Sequence, residues 1–208
     1  MIIVVEGMDG VGKTTISKLL AKRNKFEYMD KPLHYLFETG ARGKMKDLEF
    51  EEQEEKIFNS EDDVIKAWLT GLGNLYCFRK NKDKNIIVDR HIASNYLWNG
   101  SEETEKIFSL LNEYMPKPDM TIILYASSKV RMQRIYNRDK NDRDLKDDSI
   151  RINNYEKMLK FLKDYNIPYI GINTENKTIE EIINEIEEKI KLKCDRGDNN
   201  YGDFESSR

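Results

Sequence analysis

The stretch Gly7-Met8-Asp9-Gly10-Val11-Gly12-Lys13-Thr14 constrains this chain more than any other: a glycine, four residues, then Gly-Lys-Thr. It stands between the apolar, β-branched run "MIIVVEG" and the helical pattern "KTTISKLLAKR", so the sequence reads strand, turn, helix. Glycines permit backbone angles at which successive N–H groups turn inward, and a helix beginning at Lys13 adds the positive end of its dipole. Such a loop cradles a run of phosphates. Gly7, Gly10, Val11 and Gly12 form it, Lys13 is spaced to reach the β- and γ-phosphates, Thr14 offers a hydroxyl to Mg²⁺, and Thr15 extends the first helical turn. A nucleoside triphosphate and Mg²⁺ are therefore the expected ligands.

Further apolar runs at 26–30, 85–89, 121–126 and 168–172 are separated by enough chain for crossover helices, which predicts an α/β fold with an open, five-stranded parallel sheet covered on both faces. The 208 residues fit one domain, 1–193, with 194–208 expected to be a loose polar tail. Helix starts are signalled by Ser101, by Thr178 with Glu181 in capping-box spacing, and by a pattern spanning about 62 to 80. The charged stretch 44–62 reads as a solvated face.

Acidic and basic residues nearly balance, to a net charge of -3, which gives no general attraction for nucleic acid or anionic membranes. No apolar run has the length to span a bilayer, the start carries no signal-like region, and Cys77 and Cys194 have no paired spacing. A cytoplasmic protein with neither a nucleic-acid nor a membrane partner is expected.

A phosphate loop serves several chemistries, so the remaining motifs must select among them. A guanine-reading Asn-Lys-x-Asp is missing: "NKDK" at 81–84 ends in the wrong residue and precedes the third strand. "NIIVDRH" places Asp89 at a strand's carboxyl end, suited to orienting Mg²⁺, and follows it with Arg90, suited to a second anion. Asp9 lies inside the loop, either as a functional carboxylate or as a turn-stabilising residue before Gly10. "RMQRIYNRDKNDR" sets Arg131, Arg134 and Arg138 at helical spacing and continues to Lys140 and Arg143.

Taken together, "VVEGMDGVGKTT", "DRHIASNYLWNG", "KPDMTIIL" and the basic segment resemble thymidylate kinase, within the nucleotide and deoxynucleoside kinases, over about residues 2 to 165. The resemblance implies a nucleoside-monophosphate-kinase fold, a homodimer packed through helices, and transfer of a phosphoryl group from ATP to a deoxynucleoside monophosphate, dTMP first. It further implies that Asp9 lies near the acceptor sugar and that a basic lid, about 134–148, closes over the triphosphate. In this family a basic residue sits either in the loop after the aspartate or in the lid. Gly10 occupies the loop position, so the resemblance assigns that charge to Arg138 and Arg143, with Arg134 next on the ATP side.

The chain departs from the family at His91, where tyrosine is usual, and at Asp30-Lys31-Pro32, where Arg-Glu-Pro is usual. Its pre-strand helix offers Trp68, Tyr76 and Arg79 but no arginine at the family's distance before Asp89. Two alternatives remain: a deoxynucleoside kinase, for which Glu38 is the carboxylate in about the right region, and a divergent phosphate-loop protein with a regulatory or ATPase role.

Overall fold

The structure is a computed structural model that describes residues 1–33, 56, 60–142, 145 and 153–196. Five strands, β1 (Ile2–Gly7), β2 (Glu27–Met29), β3 (Ile86–Asp89), β4 (Met120–Tyr125) and β5 (Tyr169–Asn173), form one sheet in the order β2-β3-β1-β4-β5. Every pairing is parallel. β1 and β4 are buried along their whole length, whereas the short edge strand β2 is buried only at Met29. Central strands of a parallel sheet lie under helices on both faces, which is why they read as unbroken apolar runs.

Among the described residues seven helices follow: α1 (Lys13–Asn24), α2 (Asp63–Lys80), α3 (Ile92–Asn99), α4 (Glu105–Tyr114), α5 (Ser128–Arg138), α6 (Tyr155–Asp164) and α7 (Ile179–Arg196). The two-residue period of the strands divides the core. Ile2, Val4, Ile86 and Val88 pack under α2, α3, α4 and α6, through residues such as Phe78, Ile92, Phe108 and Phe161. Ile3, Val5, Ile87 and Ile122 pack under α1 and α7, through Ile16, Leu20, Ile183 and Ile186. Glu6 continues the Ile2–Val4 parity and is fully buried, which turns a carboxylate toward the first of these layers.

The helix start signals act as capping chemistry predicts, with one exception. Asp62 accepts a hydrogen bond from the Ile65 N–H at 3.0 Å, and Thr178 with Glu181 forms the reciprocal box, at 2.7 Å for Thr178 N–H to Glu181 Oε2 and 3.3 Å for Glu181 N–H to Thr178 Oγ1. Ser101 does not cap α4. The helix begins at Glu105, after a turn in which the buried Thr104 hydroxyl accepts from the Ser101 N–H and donates to the Asn99 carbonyl, both at 2.8 Å. α7 runs on through Arg196, past residue 193; 197–208 lie outside the described residues, as do most of 44–62 and, of the lid, Arg143, 144 and 146–148. No helix among the described residues is long and apolar enough to cross a membrane.

Candidate active site

The carboxyl ends of β1 and β3, side by side in the sheet with Val5 opposite Asp89, meet the N-terminus of α1. The turn between β1 and α1 has three glycines at positive φ: Gly7 (140°), Gly10 (84°) and Gly12 (94°). A Cβ on Gly7 would fall 2.3 Å from the Leu124 carbonyl oxygen, and one on Gly10 would fall 2.7 Å from that of Arg131. A Cβ on Gly12 would meet nothing within 4 Å. The first two glycines are thus demanded by β4 and α5. The third leaves open the space before the N–H groups of α1, where an anion is favoured. Gly10→Ala is expected to lower unfolding stability by about 2 kcal/mol, from backbone strain plus the clash with α5; urea unfolding that matches the wild type would contradict this placement.

Lys13 is almost completely buried at the head of α1, where its ammonium donates to the Met8 carbonyl at 2.8 Å and lies 3.5 Å from Asp9 Oδ1. Burial, then the charge of Arg90, lower its pKa to about 8 against the opposing pull of Asp9, Asp89 and Glu6. Thr14 Oγ1 donates to Asp89 Oδ2 at 2.6 Å in a part-buried contact, while Asp89 Oδ1 is buried without a hydrogen-bond partner among the described residues. The Asp89 carboxylate and the Thr14 hydroxyl are hard oxygen donors whose chemistry fits Mg²⁺. Val11 is buried as the loop's apolar anchor, and Thr15 is exposed beside Thr14.

Arg90 follows with φ at 77°, a left-handed conformation that a residue with a side chain rarely adopts. Its N–H donates to the Val5 carbonyl at 3.0 Å, and its guanidinium pairs with Asp9 and lies 3.5 Å from Ser94 Oγ. Burial acts against its charge but is outweighed by Asp9, Asp89 and Glu6, so its pKa is raised. Asp9 shows the converse. Burial alone would push its carboxyl up, but Lys13, Arg90 and Lys31 together hold it well below the usual carboxylate range. Lys31 therefore adds positive charge within electrostatic reach of Asp9.

Beneath Arg90 sits Glu6, which the sequence reading did not single out. Its Oε1 accepts from the N–H groups of His91 at 2.8 Å and Ser94 at 3.0 Å, and its Oε2 accepts from the Ser94 hydroxyl. Burial raises its pKa to about 7, against the lowering effects of Ser94, Arg90 and His91. A folded-state pKa above the unfolded value of 4.5 gives stability that is full below about pH 4.5 and is lost as pH rises through about 7. Glu6→Gln is accordingly expected to gain stability relative to the wild type at pH 8 but not at pH 4.5, measured by unfolding at both pH values; an equal change at each would contradict it. His91 is buried against the Phe78 ring, 4.1 Å between centroids, and burial lowers its pKa to about 3, so it packs as a neutral ring.

The lid arginines part company. Arg134 donates to Thr174 Oγ1 at 2.9 Å and to its carbonyl at 2.6 Å, in the turn after β5. Arg138 is exposed and paired with Asp142, and Arg143 lies outside the described residues. Among the described arginines of this segment, the one that reaches the loop is Arg131, fully buried, which donates to the Asp9 carbonyl at 3.3 Å and to Asn153 Oδ1 at 2.9 Å. Its burial was available from sequence, since Arg131 and Ile135 stand four apart on one helix face. Trp68 and Arg79 lie on the exposed side of α2, and Trp98 is also exposed.

The family model described as thymidylate kinase matches residues 5–186. A putative adenylate kinase of Thermococcus gammatolerans is 30% identical over 92% of this chain and 86% of its own length. A probable thymidylate kinase of Methanocaldococcus jannaschii is 27% identical over 89% of this chain and 93% of its own. In fold, deoxyadenosine kinase from M. mycoides superposes with a TM-score of 0.66 at 18% identity, covering 92% of this chain and all of that one. The family match begins in β1 and ends in α7, so it takes in every element that builds the site. The chain belongs to the thymidylate kinase family of phosphotransferases.

Proposed function

We propose that the protein transfers the γ-phosphoryl group of ATP to a deoxynucleoside 5′-monophosphate, dTMP before others, giving ADP and the diphosphate. The observation that carries this reading is a second cationic position, Arg90 with Lys31 acting on Asp9, beside the phosphate loop rather than within it. A monophosphate acceptor needs such charge to hold it and to offset repulsion from the triphosphate. A nucleoside would instead need a base for its 5′-hydroxyl proton; Asp9, held by three cations, is a weak one, and Glu38, the carboxylate named for that role from the sequence, lies outside the described residues. The preference for dTMP rests on the family match and on the relatives named as probable thymidylate kinases.

In the forward reaction an acceptor phosphate oxygen forms the new bond to the γ-phosphorus while the bond to the β-bridging oxygen breaks. Lys13 and the N–H groups at the head of α1 take the β- and γ-phosphate charge, and Arg90 leaves Asp9 to hold the acceptor and the migrating group. Thr14 and Asp89 would hold Mg²⁺, which neutralises charge on the β- and γ-oxygens when bound. Arg138 and Arg143 are proposed to close from the lid, and Arg134 to serve the ATP side from the turn after β5. A homodimer is proposed, supported by the exposed apolar stripe Ile65, Trp68 and Leu72 on α2, and a cytoplasmic location is proposed with it. A panel of nucleosides and monophosphates, assayed with ATP and Mg²⁺ by ADP release, tests the reaction. Turnover of dTMP supports it, whereas turnover of thymidine without dTMP would replace it with the nucleoside-kinase reading.

A further inference from the structure

The turn that carries Arg90 is held from below by one buried side chain. Glu6 lies in the central strand, three residues before Asp9, and both of its oxygens are committed to the segment after Arg90. Oε1 takes the N–H groups of His91 and Ser94, at the N-terminus of a helix whose own N-cap residue makes no side-chain capping bond. Oε2 takes the Ser94 hydroxyl proton, which leaves the lone pairs of that oxygen facing the Arg90 guanidinium at 3.5 Å. Arg90 then spans from Ser94 to Asp9. Glu6 accepts three hydrogen bonds and makes none to solvent, being fully buried, so its task is internal.

We infer that Glu6 is a positioning residue for phosphoryl transfer: acting through Ser94 and the start of α3, it fixes the left-handed turn at residue 90 and aims the Arg90 guanidinium at the acceptor phosphate. The inference rests on the transfer reaction proposed above. Its geometric basis is that a φ of 77° at an arginine persists only where the surroundings enforce it, and Glu6 supplies the bonds on the far side of that residue. The charged groups around it are consistent with this role. Arg90 and Lys13 are the cations whose charge couples to Glu6, and His91 is neutral by burial. Asp9 and Asp89 are the other carboxylates whose charge acts on both Arg90 and Lys13.

Glu6→Gln and Ser94→Ala separate positioning from folding. Glutamine keeps an acceptor for the two backbone N–H groups but presents its NH₂ to the Ser94 oxygen, which then turns its own proton toward Arg90. Each variant is expected to keep ATP binding within about twofold while kcat/KM for the acceptor falls about tenfold, and the double variant is expected to fall no further than the worse single. Multiplying losses would show that the two residues act independently and would overturn the relay. Wild-type kinetics in Glu6→Gln would overturn the role outright, as would equal losses for ATP and acceptor, the mark of a general structural defect. The arginine side-chain Nε–H resonance of Arg90, assigned by its loss in Arg90→Lys, gives a readout free of turnover. It is expected to shift and broaden in Glu6→Gln. An unchanged resonance would overturn the inference, and this measurement stands even if the wild-type protein transfers phosphate to some other acceptor.

Discussion

Lys13→Met is expected to remove at least about a thousandfold of kcat while making the free protein more stable at pH 7. The two effects have one cause. The ammonium is buried in the phosphate loop, where burial and the Arg90 charge bring its pKa down to about 8. A lysine whose folded-state pKa lies below its unfolded value of 10.5 contributes stability that is full above about pH 10.5 and is lost as pH falls through about 8. At neutral pH the charged lysine therefore weighs against folding by a few kcal/mol, on the order of 1.4 kcal/mol per pH unit of displacement. Methionine fills a similar volume without the charge, so the unfolding midpoint should rise at pH 7 and the gain should shrink toward pH 10. The loss of the cation that meets the β- and γ-phosphates accounts for the loss of rate. A variant that loses both activity and stability at pH 7 would show that Lys13 is an integral part of the fold rather than a strained group held for substrate.

Arg90→Ala is expected to lower kcat/KM for the acceptor by about 150-fold or more, equivalent to about 3 kcal/mol of transition-state stabilisation. ATP affinity should change little, because the loop glycines, Lys13 and the N-terminus of α1 stand on their own. In the free protein Arg90 is held by Asp9, and alanine would leave Asp9 to Lys13 and Lys31. The site thus keeps cations on Asp9 after the substitution, which argues for a folded variant with a selective defect. Steady-state kinetics with each substrate varied in turn make the check. Losses shared equally between ATP and acceptor, or near-normal kinetics in a folded variant, would assign Arg90 a structural role.

The sheet was legible because parallel central strands are buried on both faces and must be apolar throughout, as in "IIVVEG" and "TIILY". The phosphate loop and the Asp89-Arg90 pair were legible because both lie within a few residues of a strand end, where local pattern and chemistry coincide. Glu6 was not, although it stands inside the most informative motif. Its three donors come from residues 91 and 94, 85 or more positions away, and no local signal distinguishes a buried trans-cap from a strand end turning polar. Arg131 was not singled out from its neighbours for the opposite reason. The helical spacing of 131, 134 and 138 reads as one basic face, but the helix turns Arg131 inward with Ile135, sends Arg134 to Thr174 and leaves Arg138 exposed.

Gly10 gained a second meaning from this arrangement. The family pattern takes its lack of a basic side chain as a reason for lid arginines to supply charge. The structure shows that the backbone of Arg131 occupies the space any side chain at Gly10 would need, and that Arg131 itself binds the adjoining Asp9 carbonyl. Glycine at that position is a packing requirement of α5 as well as a gap in charge.

The central claim is that the second cationic position holds a phosphate and that this phosphate receives the transferred group. Incubating the protein with Mg²⁺, dTMP and ATP labelled in its γ-phosphate, then separating the products, tests it directly. The account predicts label in the β-phosphate of dTDP with equimolar ADP, and loss of that product in Arg90→Ala. Label appearing only as inorganic phosphate, or only as a monophosphate when thymidine is supplied in place of dTMP, would contradict it.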